Sequence, residues 1–296
     1  MTTLVIGTRG STLARWQTDW VQAQLTAAWP DLQCELRPFQ TAGDKILDRS
    51  LTEIGGKGLF TEELENALRS GEIDLAVHSL KDLPIDNAAG LAIGAIGERE
   101  DPRDVLISRQ YFTLAHLPQD ARVGTSSLRR AAQLLAIRPD WKILSLRGNV
   151  DTRLRKAMQG EYDAIVLAAA GVLRLGFASH IAEYLSIDVM LPAPGQGAVA
   201  VQCRANDQRA IDLLRPIDHL PTRSAVTAER AFLQGLGGGC SAPVAAHAQN
   251  HYLVGLVASQ DGKCVIRVSG EGGNPIALGH ALARQALARG AQELLV

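Results

Sequence analysis

The chain is poor in aromatic residues, which make up 4% of its 296 positions, and it contains no apolar run near the ~20 residues a membrane-spanning helix needs. Its opening residues, Met1 to Gly7, lack a basic stretch followed by an apolar core, so no secretion signal is expected. There are four cysteines, Cys34, Cys203, Cys240 and Cys264, with no C-x-x-C pair. Their even number leaves disulfides open by count, but the missing signal favours a cytoplasmic protein with reduced thiols. No G-x-x-x-x-G-K-[ST] occurs, and no G-x-G-x-x-G opens a helix after a strand, which weakens every nucleotide-binding reading. The seven histidines show no metal-ligand spacing, so no metal is expected. Charge is balanced, 30 Lys+Arg against 31 Asp+Glu. Any basic cluster is therefore local, suited to a small anion and not to a long nucleic-acid footprint, and no membrane partner is expected. No internal repeat or low-complexity tract is visible.

What the chain does have is a succession of short apolar strands that empty into polar or glycine turns. Leu4 to Thr8 reads as a strand, and Ser11 opens a helix from Thr12 to about Trp29, with Leu13, Trp16, Trp20 and Leu25 assigned to one face. A second strand spans Gln33 to Phe39. The segment from Gln40 to Gly58, with Gly55-Gly56-Lys57-Gly58, is either a ligand-contacting lid or a solvated connection. A helix over Leu59 to Ser70 and a strand over Ile73 to Val77 follow, and that strand runs into His78-Ser79-Leu80-Lys81-Asp82-Leu83-Pro84. Polar side chains then stand at the C-terminal end of a parallel strand, where ligands sit in open α/β sheets.

After the strand Leu91 to Ile96, the charged connector Gly97 to Arg103 begins a second α/β unit. Three of its strands, ending near Gly124, Leu146 and Ala168, lead to arginines: Arg129 and Arg130, Arg147 and Arg153, and Arg174. The Pro/Gly segment Pro192 to Gly197 precedes a strand, Val199 to Cys203, that is expected to return to the first lobe. Two α/β lobes with two crossings have the layout of a hinged binding protein. Beyond a helix from Thr222 to Leu236 come three strands, Val244 to Ala248, Tyr252 to Ser259 and Val265 to Ser269. Asp261-Gly262 marks a hairpin turn, and a last helix runs from Pro275 to about Arg289. The expected domains are 1–98 with 198–216, 103–193, and 220–296.

Two features ask for chemistry. Arginine forks at strand ends and first helical turns bind carboxylates or phosphates bidentately; any one of them alone reads first as a surface arginine or a structural ion pair, but six in equivalent positions point to a ligand with several carboxylates or phosphates. Cys240, inside Gly237-Gly238-Gly239-Cys240-Ser241-Ala242-Pro243, is either a small buried hydrophobe or a presented thiol. Asp82 beside Lys81 is placed to stabilise a developing positive charge, or else is an ordinary turn aspartate. A two-lobed binding protein and a thiol-dependent enzyme pairing Cys240 with His247 remain the rival readings.

Ile6-Gly7-Thr8-Arg9-Gly10-Ser11, Gly55 to Phe60, Val77 to Pro84, Val123 to Arg130, Leu146 to Val150, Pro194 to Ala198 and the Gly-Gly-Cys stretch stand in one order. Together they resemble the porphobilinogen deaminase family of tetrapyrrole biosynthesis across nearly the whole chain. The resemblance implies two hinged, periplasmic-binding-protein-like α/β lobes and a small α+β third domain with a three-stranded antiparallel sheet. It implies a dipyrromethane cofactor bound covalently to Cys240, porphobilinogen as substrate, Asp82 as the catalytic residue and a monomeric enzyme. Lys81, Ser127, Arg129, Arg130, Arg147 and Arg153 match the cofactor-binding positions. Arg9, Ser11, Gln17, Thr125, Arg174 and Gln196 match the substrate-binding positions, with Ser79 in support. Gln202 departs from the acidic residue common in relatives.

Overall fold

The computed structural model describes residues 3–41, 61–86, 88–237 and 242–295. The expected lid, Gln40 to Gly58, lies almost wholly outside them, as does Cys240 with Gly238, Gly239 and Ser241. The chain divides into two compact units, residues 1–100 with 198–223, and residues 101–197 with 224–296.

In the first unit, strands numbered along the chain are β1 (Thr3–Arg9), β2 (Gln33–Phe39), β3 (Leu75–Ser79) and β4 (Leu91–Ile96). The returning strand is β10 (Val199–Arg204). Their order is β2-β1-β3-β10-β4, with β1 parallel to β2 and β3, and β10 antiparallel to both its neighbours. Both faces of such a sheet are covered, so its central strands are apolar almost throughout. One face packs Leu4, Ile6, Leu75, Val77 and Val201 under Val21 and Leu25 of the helix Thr12–Ala28. The other packs Ala76 against Leu64 and Leu68 of the helix Glu62–Ser70, which ends on Gly71 in the left-handed conformation.

The second unit repeats this plan. Here β5 (Asp104–Ile107), β6 (Arg122–Gly124), β7 (Lys142–Leu144), β8 (Ala164–Ala168) and β9 (Glu183–Tyr184) form a sheet of order β7-β6-β8-β5-β9. Again the fourth strand, β5, is antiparallel to its neighbours. The unit also holds the antiparallel sheet β11 (Val244–Gln249), β12 (Tyr252–Ala258) and β13 (Val265–Glu271). Phe232 of the helix Leu220–Gly235 and Leu282 and Ala286 of the helix Pro275–Ala288 cover it. A shared cluster of Ala132, Leu191, Ala245, Leu256 and Ala258 joins the two sheets' layers. Two α/β lobes of one topology and a small three-stranded α+β domain are thus present.

Local differences from the sequence reading have physical causes. In the helix Thr12–Ala28 the buried positions are Ala14, Gln17, Thr18, Val21 and Leu25; of the expected face Leu25 is buried, while Leu13, Trp16 and Trp20 are only half-buried. Thr18 can be buried because its hydroxyl lies 2.7 Å from Thr8 Oγ1 and 2.9 Å from Ala14 O. Residues Ala169–Arg174, read as a turn, form a short helix, which puts Arg174 at a helix end and not a strand end.

Candidate functional site

The first unit gathers its polar residues at the C-terminal ends of β1 and β3. β1 ends on Arg9, which is half-buried. Ser11 caps the following helix, its Oγ accepting from Ala14 N at 3.3 Å and keeping its own proton for donation. Gln17, 2% exposed, donates to Ser79 Oγ at 2.9 Å. Beyond Ser79 the chain makes a single 3-10 turn, Leu80–Asp82. Leu80 and Leu83 are buried, and Leu80 N donates to Ala198 O at 3.0 Å. With the turn anchored at both ends, Lys81 and Asp82 are the residues left at the surface, and both are exposed.

On the strand that leads into this turn, His78 is buried. Burial, and then the positive charge of Arg9, lower its pKa to about 4, which contact with Gln202 only partly offsets. The imidazole is therefore neutral at physiological pH.

In the second unit Ser127 caps the helix Leu128–Ile137, accepting from Arg130 N at 3.4 Å, while buried Thr125 accepts from Ser127 N at 3.1 Å. Arg129 and Arg130 stand in the first turn of that helix. Of the two readings open for such arginines, ligand fork or internal ion pair, the ion pair is present here: both are buried and engaged by a carboxylate inside the unit. Arg129 Nη1 lies 2.7 Å from Asp104 Oδ2, and Arg130 Nε and Nη2 lie 3.1 and 2.8 Å from Oδ1. Gln196 is wholly buried and donates to the same Oδ1 at 2.9 Å and to Pro102 O at 2.8 Å. Burial alone would raise the Asp104 pKa, but the two guanidiniums outweigh it and hold the carboxyl below the ordinary range.

Arg147 and Arg153 are half-buried around Gly148, whose φ of +112° suits glycine and whose carbonyl accepts from Arg153 Nε at 2.6 Å. The loop is fixed from behind by Ser126, whose Oγ bonds both Leu146 N and Leu146 O. Arg174 donates from Nη2 to Gly197 O at 2.8 Å.

Asp104 went unread in the sequence because it stands between a charged connector and an apolar strand. The only signal was a carboxylate at the first position of that strand, in a chain that places six arginines at turns. Glu229 was also missed. Fully buried in the helix Leu220–Gly235, it accepts from Gly195 N at 2.7 Å and Ala248 N at 2.8 Å. Among the described residues Cys34, Cys203 and Cys264 are free thiols. No described helix is long and apolar enough to cross a membrane.

Fold and site together define a two-lobed protein with a small third domain and, in each lobe, a set of cationic and hydroxyl side chains near strand ends and helix ends. Residues 4–212 match the family model described as "Porphobilinogen deaminase, dipyromethane cofactor binding domain", and residues 224–288 match "Porphobilinogen deaminase, C-terminal domain". The chain belongs to the porphobilinogen deaminase family. It is 50% identical to the porphobilinogen deaminase of Brevibacillus brevis, over 98% of this chain and 96% of that one. It is 53% identical to that of Moorella thermoacetica, over 100% and 96%. The periplasmic VFT2 domain of Bordetella pertussis BvgS superposes with a TM-score of 0.45 at 16% identity, over 73% of this chain and 86% of that one.

The residues fit the cofactor that the family model names. A dipyrromethane carrying carboxylate side chains calls for guanidinium donors, and Arg129 retains a buried Nε–H with no hydrogen-bond partner among the described residues.

Proposed function

We propose that the chain is a transferase that removes ammonia from porphobilinogen, joins four units head to tail, and releases hydroxymethylbilane by hydrolysis. In this reading the dipyrromethane is held through a thioether to Cys240 and supplies the electron-rich pyrrole end onto which units are added. The observation that carries the reading is identity of 50% and 53% to porphobilinogen deaminases over 98% and 100% of the chain. We further propose a monomer that works in the cytoplasm, without nucleic-acid or membrane partners.

The residues act as follows. The exposed carboxylate of Asp82, on its anchored 3-10 turn, accepts a hydrogen bond from the substrate's pyrrole N–H and offsets the positive charge that grows there as ammonia leaves. Arg9, Ser11, Gln17, Thr125, Arg174 and Gln196 serve the incoming porphobilinogen. Among them the guanidiniums of Arg9 and Arg174 suit carboxylates. Lys81, Ser127, Arg129, Arg130, Arg147 and Arg153 serve the carboxylates of the cofactor.

Intact mass with peptide mapping tests the reading. The expected increment is two porphobilinogen units less two ammonias, localised to Cys240. A chain that stays unmodified after incubation with porphobilinogen would return Cys240 to a structural role and favour a non-catalytic binding protein.

A further inference from the structure

Asp104 is fully buried and receives four donor atoms from three side chains that the proposed function assigns to binding: Arg129, Arg130 and Gln196. Each of the three is also pinned elsewhere. Arg129 Nη1 lies 2.6 Å from Leu191 O, Arg130 Nη1 lies 3.0 Å from Val166 O, and Gln196 Nε2 lies 2.8 Å from Pro102 O. Gln133 grips both backbone groups of Leu191, so the carbonyl that receives Arg129 is itself fixed.

Two guanidiniums against one carboxylate leave this buried cluster with a net positive charge. The Nε–H of Arg129 is a buried donor with no acceptor among the described residues. Such a cluster is unfavourable by itself and is relieved by a second carboxylate. An arginine side chain free to rotate would lose rotamer entropy on binding an anion, and here that ordering is complete before any ligand arrives.

We propose that Asp104 is a positioning residue for this site: a resident carboxylate that sets Arg129, Arg130 and Gln196 in one arrangement, so that a pyrrole carboxylate meets a preformed cationic cluster. This rests on the porphobilinogen deaminase reading above.

The test uses the full chain prepared without a porphobilinogen supply and then loaded with porphobilinogen, with the adduct followed by intact mass and the fold by thermal unfolding. Asp104→Asn keeps the shape and removes the charge. The folded fraction is expected to load at least ~10-fold more slowly than the unsubstituted chain, with recovery at high porphobilinogen concentration. A purely structural role would lower the melting temperature without slowing loading of the chains that remain folded. Should Asp104→Asn fail to fold, Gln196→Met removes one grip without stranding a charge and is expected to slow loading several-fold. Loading at the unsubstituted rate, by folded Asp104→Asn or in its absence by Gln196→Met, overturns the inference. An unsubstituted chain that takes up no adduct overturns the functional reading and this inference with it.

Discussion

The Gln17 carboxamide and the Ser79 hydroxyl, 62 residues apart in sequence, meet at 2.9 Å and join the first helix to the end of β3. That bond orients the strand end from which the Lys81–Asp82 turn departs. Gln17→Leu keeps the volume and deletes the donor. Stability is expected to change by no more than about 1 kcal/mol, because Ser79 is only half-buried and can turn to water. Porphobilinogen turnover is expected to fall about tenfold in kcat/KM. Steady-state kinetics beside a thermal melt separate the two effects, and an unchanged kcat/KM would remove Gln17 from the site.

Asp82 is exposed, so Asp82→Asn should shift stability by less than about 0.5 kcal/mol. Its loss of charge opposite a developing cation is expected to reduce turnover by roughly 10²–10³, with the Cys240 adduct still present by mass. Near-normal turnover would instead make Asp82 a turn residue.

His78 predicts a pH dependence. Its pKa is about 4 in the folded chain against 6.5 when unfolded, so between those values the unfolded state binds more protons and stability rises with pH. The loss on acidification from pH 6.5 to 4 should reach up to about 3 kcal/mol, at 1.36 kcal/mol per unit. Asp104 contributes little over most of that window, since above pH 4 its carboxyl is ionised in the folded chain and, with an ordinary value of 3.8, mostly ionised in the unfolded chain as well. Denaturant titrations of His78→Gln at pH 4 and pH 6.5 should show a flattened difference. Gln202→Glu, which sets an anion beside the ring, should also shrink it. An unaltered slope in both variants would assign the acid sensitivity to other groups.

Gly262 closes the β12–β13 hairpin at φ +72°, and a Cβ there would stand 2.5 Å from both Ala132 O and Ala136 N. Those atoms belong to the helix that carries Arg129 and Arg130. Gly262→Ala therefore combines backbone strain with a clash against main chain, and about 2 kcal/mol or more of stability should be lost. A melting temperature equal to that of the unsubstituted chain would mean the helix yields without cost.

Much of this was legible in the sequence because it is written in local patterns. Asp261-Gly262 announced its hairpin, Ser11 the start of its helix, and the apolar run Val199 to Cys203 its buried strand. What escaped was settled by distant partners. The inward turn of Gln17 and Thr18 depends on Ser79 and Thr8 accepting their hydrogen bonds, which no helical periodicity reveals. Arg129 and Arg130 carried the right chemistry, but Asp104 lies 25 and 26 residues upstream of them, and nothing in their own neighbourhood foretells that both close on one carboxylate.

The position of β10 bears on how the chain is made. It lies between β3 and β4 and bonds to both, although about a hundred residues separate it from β4 in sequence. During synthesis β1, β2 and β3 can assemble early, but among the described strands β4 has no neighbour in its sheet until residue 204 has left the ribosome. The N-terminal lobe, first to be translated, is thus among the later parts to be finished, and a fragment ending near residue 98 would leave the edges of β3 and β4 open to pairing with another chain.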